Sequence, residues 1–277
     1  MKRVGIVYHP LNARAPEQTQ KLVSVLKAHG LDQWQCSAWE PDEIRSHLPG
    51  TDLIITVGGD GTILRVAQVL DGASIPITGV NLGKLGFMTE LTVDEVGDKL
   101  LAILSGRGWI DERAMLEAEL YQTVEGKKAT RCFHALNDVV MARGAIARII
   151  YITASIDGAE VATYKADGAL VATATGSTGY ALAAGGPVLY PQSADYLLMP
   201  ILPHLSMNYP LLLPPTSTVS LKLSTTHPAT LSVDGHISLE LCNGDRISVR
   251  ASAKRTRFLR INPPSHFYTS LGRKLKG

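Results

Sequence analysis

The turn Gly58-Gly59-Asp60-Gly61-Thr62 carries the residue types that point most directly to chemistry. It follows the apolar run 53–57, which is typical of a buried strand, and precedes 63–70, where apolar residues recur at helical spacing. Glycines let a ligand approach the backbone, and the free N–H groups at the helix start favour phosphate. A carboxylate would repel that phosphate, so Asp60 is expected to meet a metal ion or a neutral hydroxyl that becomes phosphorylated. The alternative is a tight turn in which Asp60 caps the helix.

Three further clusters lie in the second half of the chain. Asn137-Asp138 lies inside an otherwise apolar predicted strand, 135–141, where buried polar groups need partners. A bulge on an edge strand is the alternative. Lys165-Ala166-Asp167-Gly168 precedes a predicted strand, and a β-turn is the alternative there. The stretch 173–187 is small, hydroxyl-rich and glycine-rich, which suits close packing of backbone against a flat or phosphorylated ligand. A flexible linker is the alternative for that stretch.

The first part of the chain alternates strands and helices. Strands are predicted at 4–8, 35–39, 53–57 and 75–80, and helices from Pro16 and at 42–47, 63–70 and 92–105. This order predicts a parallel sheet with helices on both faces. Ligands of such sheets bind beyond the carboxyl ends of the strands, where the glycine-rich turns 58–62 and 81–87 both fall.

The periodicity changes after Gly106-Arg107-Gly108. Apolar and polar residues then alternate, as in antiparallel strands with one solvated face. Strands are predicted at 116–121, 149–156, 219–223, 230–233, 237–241 and 246–249, with turns at 157–158 and 243–245. We therefore predict an α/β domain over 1–108, a β-rich domain over 109–255, and a segment 256–277, helical from Ser265, that packs back on the first domain.

Composition excludes several functional classes. The chain has 277 residues, 45% hydrophobic and 19% charged, with a net charge of +2, which suits a folded protein with a full core. No basic stripe interleaved with aromatic residues predicts a nucleic-acid partner, and no run is long enough to span a membrane. The cysteines Cys36, Cys132 and Cys242 form neither a disulfide framework nor a zinc spacing. We expect a soluble cytoplasmic protein with three structural thiols and no protein-built metal site.

In their order and spacing, these clusters resemble the ATP-NAD kinase family, whose members phosphorylate the adenosine 2′-hydroxyl of NAD. The resemblance runs from about Gly58 to Gly235. The glycine-Asp-glycine turn alone is shared with diacylglycerol kinases, sphingosine kinases and phosphofructokinases. The more specific elements are Asn81-x-Gly83-x-x-Gly86-Phe87, Asn137-Asp138, Asp167-Gly168, and Thr175-Gly176-Ser177-Thr178 through Gly185-Gly186-Pro187.

The resemblance implies an α/β protein: an N-terminal Rossmann-like parallel α/β domain followed by a C-terminal all-β sandwich domain, with a substrate cleft between them. It implies transfer of the γ-phosphoryl group of ATP to the 2′-hydroxyl of the adenosine ribose of NAD, which makes NADP. Mg²⁺ or another divalent cation accompanies ATP, and polyphosphate is an alternative donor. Members of the family form homodimers or homotetramers.

The same resemblance assigns roles in the first domain. Asp60 is the catalytic base toward the 2′-hydroxyl, Gly61 lies against NAD, and Arg65 reaches a phosphate from the following helix. The residues assigned to phosphate or ATP are Gly58, Gly59, Thr62, Asn81, Gly83 and Gly86.

In the second domain, the resemblance assigns Asn137 and Asp138 to the adenosine side of NAD and Asp167 to the nicotinamide portion. Arg148 and Lys165 stand where the family often has a basic or imidazole group near the ligand. The remaining NAD-binding assignments are Thr178, Gly179, Tyr180 (stacking on a base), Ala181, Leu182, Ala183 and His236.

Four positions depart from the family pattern. Ala174 replaces the usual proline, Gly179 the usual alanine, His236 a glutamine, and Tyr209 an arginine. The first two preserve the backbone requirements, and an imidazole still donates or accepts a hydrogen bond. The change at Tyr209 affects a local packing or charge role that the pattern does not define. These departures leave open the preference for NAD over NADH.

Two other functions fit part of the pattern. A lipid kinase would share the glycine-Asp turn but has little use for 173–187. A non-catalytic NADP-binding sensor would keep the pocket, but the intact Asp60 argues against it. Liposome flotation and a turnover assay, respectively, separate these alternatives from an NAD kinase.

Overall fold

The computed structural model describes residues 1–83, 86–124, 127–144, 148–204 and 208–275. The chain divides into two compact units, one of Met1–Glu112 with Thr256–Gly277 and one of Arg113–Arg255. The predicted boundary at Gly108 precedes the observed one, because a strand that begins at Trp109 continues through Glu112 into the second unit.

The elements are numbered in chain order. The strands are β1 (Arg3–Tyr8), β2 (Asp32–Ser37), β3 (Leu53–Gly58), β4 (Ile77–Asn81), β5 (Leu91–Thr92), β6 (Trp109–Val124), β7 (Lys127–Ala135), β8 (Asp138–Arg143), β9 (Ile150–Ile156), β10 (Ala159–Ala166), β11 (Gly168–Thr173), β12 (Tyr196–Ile201), β13 (Leu211–Leu213), β14 (Thr218–Ser224), β15 (Ala229–Val233), β16 (Ile237–Leu241) and β17 (Arg246–Arg260). The helices are α1 (Ala15–Ala28), α2 (Pro41–His47), α3 (Asp60–Leu70), α4 (Val96–Leu104), α5 (Tyr180–Ala183) and α6 (His266–Leu275). None of the helices in the described ranges is long and apolar enough to cross a membrane.

The first unit is built on a parallel sheet. β4, β3, β1 and β2 lie side by side in that order, with β5 also paired to β4. All six residues of β3 are buried, which explains why this strand reads as a continuous apolar run. The predicted helix 92–105 begins as a 3₁₀ turn over Val93–Glu95 and continues as α4. Thr92 and Glu95 form a capping box at the start of the 3₁₀ turn.

The second unit contains two antiparallel arrays. One runs β10-β9-β14-β17 and the other β13-β12-β11-β8-β15-β16, while β6 pairs with β7. Side chains from both arrays, such as Ile152, Leu221, Val171 and Leu231, share one buried core. The unit is therefore a β-sandwich, and the predicted fold class is confirmed.

One local prediction and one local alternative were wrong. The stretch 135–141 is not one strand, because β7 ends at Ala135 and β8 begins at Asp138. β8 lies between β11 and β15, so Asn137-Asp138 is not a bulge on an edge strand. The strand β12 was not predicted, because all six of its residues are buried and its sequence shows no alternation of apolar and polar residues.

The prediction that all three cysteines are structural thiols holds only for Cys36. Cys36 is buried, and burial raises the pKa of its thiol to about 12. Cys132 and Cys242 are exposed, so they do not contribute to a core.

Candidate active site

The glycine turn places Asp60 just beyond the carboxyl end of β3. Gly59 caps α3 and Asp60 is the first helical residue. A Cβ on Gly58 would lie 2.2 Å from Oγ1 of Thr62, so only glycine fits there. A Cβ on Gly59 or Gly61 would meet nothing within 4 Å, which leaves this part of the turn open to a ligand.

The Asp60 carboxylate is held by three backbone amides of another loop. The N–H of Phe87 donates to Oδ2 at 2.8 Å, and those of Met88 and Thr89 donate to Oδ1 at 3.1 and 3.3 Å. Gly59, and not Asp60, is the N-cap residue of α3, so the helix-cap alternative is wrong. The sequence predicts only a metal ion or a hydroxyl as the partner of this carboxylate, whereas backbone N–H groups also stabilise its negative charge.

Gly86 is part of the same arrangement. A Cβ on Gly86 would lie 2.2 Å from Oδ1 and 2.7 Å from Cγ of Asp60. The absence of a side chain at Gly86 therefore lets the loop approach the carboxylate closely enough to donate its amides. Asn81 closes the start of this loop, because its Nδ2 donates to the carbonyl of Gly83 at 3.0 Å.

Trp39, which the sequence pattern does not single out, lies beside Arg65 and also contacts His9. The guanidinium of Arg65 sits 4.4 Å from the centre of the Trp39 ring, and the His9 ring meets Trp39 edge-on at 4.7 Å. The indole face holds the guanidinium by a cation–π contact. Trp39 is 42% exposed. Its position just after a strand of a parallel sheet could have marked it in the sequence as a site residue.

In the second unit, Asp234 organises the segment between β7 and β8. Its Oδ1 accepts the N–H groups of Asn137 at 2.7 Å and Asp138 at 3.1 Å, and its Oδ2 accepts that of Leu136 at 2.9 Å. Asp234 has φ of +49°, a left-handed conformation that aspartate tolerates better than most residues. No role was predicted for Asp234, because a single aspartate before a glycine reads as an ordinary turn.

The glycine-rich stretch packs against Asn137. Oγ1 of Thr173 donates to the carbonyl of Leu136 at 2.6 Å and accepts the N–H of Gly176 at 3.0 Å. A Cβ on Gly176 would lie 2.1 Å from the backbone oxygen of Asn137. The stretch is thus a packed turn and not a flexible linker. Oδ1 of Asn137 is buried without a hydrogen-bond partner among the described residues, as expected of a group that awaits a ligand.

Asp138 lies next to the Asp234 carboxylate and is only 6% exposed. Burial, and secondarily the negative charge of Asp234, raises the pKa of Asp138 to about 7. Such a carboxyl group exchanges its proton near neutral pH, which is common at functional sites.

Known families match both units. The ATP-NAD kinase N-terminal domain matches residues 15–108, and the ATP-NAD kinase C-terminal domain matches residues 136–261. The chain is 50% identical over 276 residues to the NAD kinase of Dehalococcoides mccartyi (strain CBDB1), covering 100% of this chain and 96% of that one. It is 38% identical over 276 residues to the NAD kinase of Chloroflexus aggregans, covering 100% and 99%.

The chain belongs to the ATP-NAD kinase family. Solved structures agree with this assignment. A yeast NADH kinase complexed with NADH superposes with a TM-score of 0.87 at 26% identity, covering 100% of this chain and 88% of that one. An NAD kinase from Archaeoglobus fulgidus in complex with ATP, with a TM-score of 0.79 at 24% identity and 99% coverage of both chains, shows the shared fold.

Not all residues assigned from the ATP-NAD kinase pattern lie together. Asp167 forms an ion pair with Arg143, its Oδ1 lying 2.9 Å from Nε. Asp138 and Arg143 are the two ends of β8, which are about 17 Å apart at the usual rise per residue. Asp167 therefore belongs to a different end of the sheet from Asn137. Lys165 ends up half-buried in β10 near Asp167, while Arg148 is exposed.

Several other assigned side chains have specific surroundings. Thr62 is 1% exposed and packs beneath Gly58, so its side chain is closed to a phosphate. Ala181 is fully buried in a core cluster with Leu170, so its side chain does not line an open pocket. Tyr180 is 46% exposed and remains open to stacking. The ring Nδ1 of His236 lies 3.1 Å from the backbone oxygen of Asp234, which ties this departure from the family pattern to the Asn137 cluster.

Proposed function

We propose that the chain transfers the γ-phosphoryl group of ATP to the 2′-hydroxyl of the adenosine ribose of NAD, with Asp60 as the base. The observation that carries this proposal is the Asp60 carboxylate itself, held in one orientation by the amides of Phe87, Met88 and Thr89. Held in this way, the carboxylate needs no further rearrangement before reaction.

The hydrogen bonds leave capacity for a substrate hydroxyl. A carboxylate accepts about four hydrogen bonds, and Oδ2 of Asp60 accepts only the N–H of Phe87 among the bonds given above. In the proposed step, the ribose 2′-oxygen bonds to the γ-phosphorus while the bond from that phosphorus to the β,γ-bridging oxygen breaks. The hydroxyl proton passes to Asp60, and ADP leaves with the electron pair of the broken bond. Because phosphoryl transfer proceeds through a loose transition state, orientation of the hydroxyl matters more than early proton removal.

We propose that a divalent cation enters this site together with ATP. Among the described residues, no cluster of three or more acidic, histidine or cysteine donors includes Asp60. Mg²⁺ prefers phosphate oxygens and a few carboxylates, and when bound it neutralises charge on the transferring phosphoryl group. Arg65, held by Trp39, is the side chain we assign to further positive charge in the same unit.

The second unit supplies the groups proposed to hold NAD. Asn137 offers an amide oxygen with no bond to another described residue, and Asp138 offers a carboxyl group that is protonated or charged near neutral pH. Ribose hydroxyls both donate and accept hydrogen bonds, so both groups suit the adenosine ribose.

The deciding experiment is incubation with ATP, Mg²⁺ and either NAD or NADH, with NADP(H) detected by a specific dehydrogenase. Binding of NADP without turnover would favour the sensor alternative.

We expect Asn137→Ala and Asp138→Ala each to weaken NAD binding by about 1–3 kcal/mol, the usual cost of a missing buried hydrogen-bond partner. Isothermal titration calorimetry with NAD measures the change. Asn243→Ala is the control, since Asn243 accepts the N–H of Thr225 in the same unit and should leave NAD affinity unchanged. Wild-type affinity in both Asn137→Ala and Asp138→Ala would show that the pair only shapes the backbone.

We further propose a homodimer or homotetramer that functions in the cytoplasm. Leu212 lies in the edge strand β13, Tyr209 just before it and Leu202 just after β12, and these apolar residues have 58%, 56% and 76% of their surface accessible. Exposed apolar groups at a sheet edge commonly become covered by association. Light scattering at micromolar concentration should report a mass of two or four chains, and a monomer would contradict this expectation.

A further inference from the structure

The β6–β7 pair carries a second group of reactive side chains, none of which is assigned to a substrate. Glu117 lies directly opposite His134, and Glu119 lies opposite Cys132, in the antiparallel register. The alternate residues Leu116 and Ala118 enter the core, so these four side chains share the other face of the pair.

Glu117, Cys132 and His134 bring three different donor atoms together. A carboxylate oxygen, the thiol sulfur and an imidazole nitrogen all lie within 4.8 Å of one another. Zinc in proteins binds thiolate, imidazole and carboxylate at about 2.0–2.3 Å, which places its ligands roughly 3–4 Å apart. We propose that these three residues bind Zn²⁺ or a similar divalent transition-metal ion, with water or Glu119 as a fourth ligand.

The neighbours of the cluster support this proposal. A histidine that binds a metal usually donates its other ring N–H to a nearby acceptor, and Oγ of Ser252 lies 3.1 Å from Nδ1 of His134. The backbone N–H of Lys254 donates to the same Oγ at 3.0 Å, which fixes the hydroxyl in place. A rigid strand pair with an oriented imidazole needs little rearrangement to bind an ion.

Arg250 lies beside the two carboxylates of the cluster. Arg250 pairs with Glu117 and lies 3.5 Å from Glu119, so one guanidinium serves two carboxylates. Oε1 of Glu117 faces Arg250, and the carboxylate has a second oxygen to offer to an ion. To bind the ion, Cys132 releases its proton to solvent. The resulting thiolate is the negatively charged ligand that zinc prefers.

The test uses the full chain after treatment with a chelator. We expect the wild type to bind one equivalent of Zn²⁺ in competition with a chromophoric chelator. Co²⁺ in its place should give the charge-transfer absorption of a cobalt–thiolate bond. Cys132→Ser should abolish that band. Ser252→Ala should weaken the affinity by about 10–100-fold, and His134→Ala, which removes a ligand, should weaken it further.

Cys242→Ser is the matched control, because Cys242 is another exposed thiol of the same unit. It should bind Zn²⁺ and Co²⁺ as the wild type does. Absence of the cobalt–thiolate band from the wild type, or equal stoichiometry in Cys132→Ser and the wild type, would overturn the proposal. Circular dichroism of each variant confirms that loss of metal does not reflect loss of fold.

Discussion

Asp60→Asn is expected to lower kcat by about 10²–10³-fold while KM for NAD stays within a few-fold. A positioned base contributes about 10²–10⁴ in rate, and the loose transition state of phosphoryl transfer places this case in the lower half. Steady-state kinetics with NAD and ATP at saturating Mg²⁺ measure both constants. Recovery of kcat at raised Mg²⁺, with weakened apparent ATP affinity, would instead assign Asp60 to the metal.

The three amides around Asp60 also predict a structural cost for this variant. An asparagine side chain keeps one acceptor oxygen but turns an N–H₂ group toward at least one donor, such as the N–H of Phe87. We expect a loss of stability of about 1–3 kcal/mol, read from denaturant unfolding. Near wild-type kcat in a folded Asp60→Asn protein would exclude both the base and the metal role.

Gly86→Ala separates position from charge at the same site. The added Cβ would lie 2.2 Å from Oδ1 of Asp60, so the carboxylate must shift although it keeps its charge. If orientation of the base is decisive, kcat should fall by about 10²-fold, since small displacements of catalytic groups are that costly. Gly97→Ala is the control, because a Cβ there meets nothing within 4 Å and alanine favours the surrounding helix.

Asp138→Asn is expected to change how stability depends on pH. Burial raises the pKa of Asp138 to about 7 in the folded chain from an ordinary value of 3.8, so the folded state binds the proton more tightly than the unfolded state does. Its contribution is fully favourable below the unfolded pKa and is lost as pH rises toward the folded pKa. Between pH 5 and pH 8, the free energy of unfolding of the wild type should fall by about 2–3 kcal/mol relative to that of Asp138→Asn.

Denaturant unfolding of both proteins at several pH values, without nucleotide, measures this difference. Asp234→Asn provides a second variant, because removal of the neighbouring charge should lower the pKa of Asp138 and move the loss of stability to lower pH. If the free energies of unfolding of the wild type and Asp138→Asn change in parallel with pH across this range, Asp138 is ionised throughout.

The sequence was sufficient for the class of fold and for the reaction. Strand and helix periods are local properties, so the parallel sheet, the later change to antiparallel strands and the final helix could all be predicted. The glycine-Asp turn could also be placed at a strand end, because the apolar run before it and the helical run after it adjoin it directly in the chain.

The partners of the polar groups depended on the tertiary structure. Asp60 meets amides 27 to 29 positions away, and Asp234 meets amides 96 to 98 positions away. No local pattern reports such contacts, and the approach of the loop to Asp60 explains why Gly86 lacks a side chain. The pKa of Asp138 is raised first by its burial and then by the charge of Asp234, and both depend on the tertiary structure. Cys132 and His134 likewise show no zinc spacing, because their third donor, Glu117, comes from the opposite strand and only pairing of β6 with β7 brings it near.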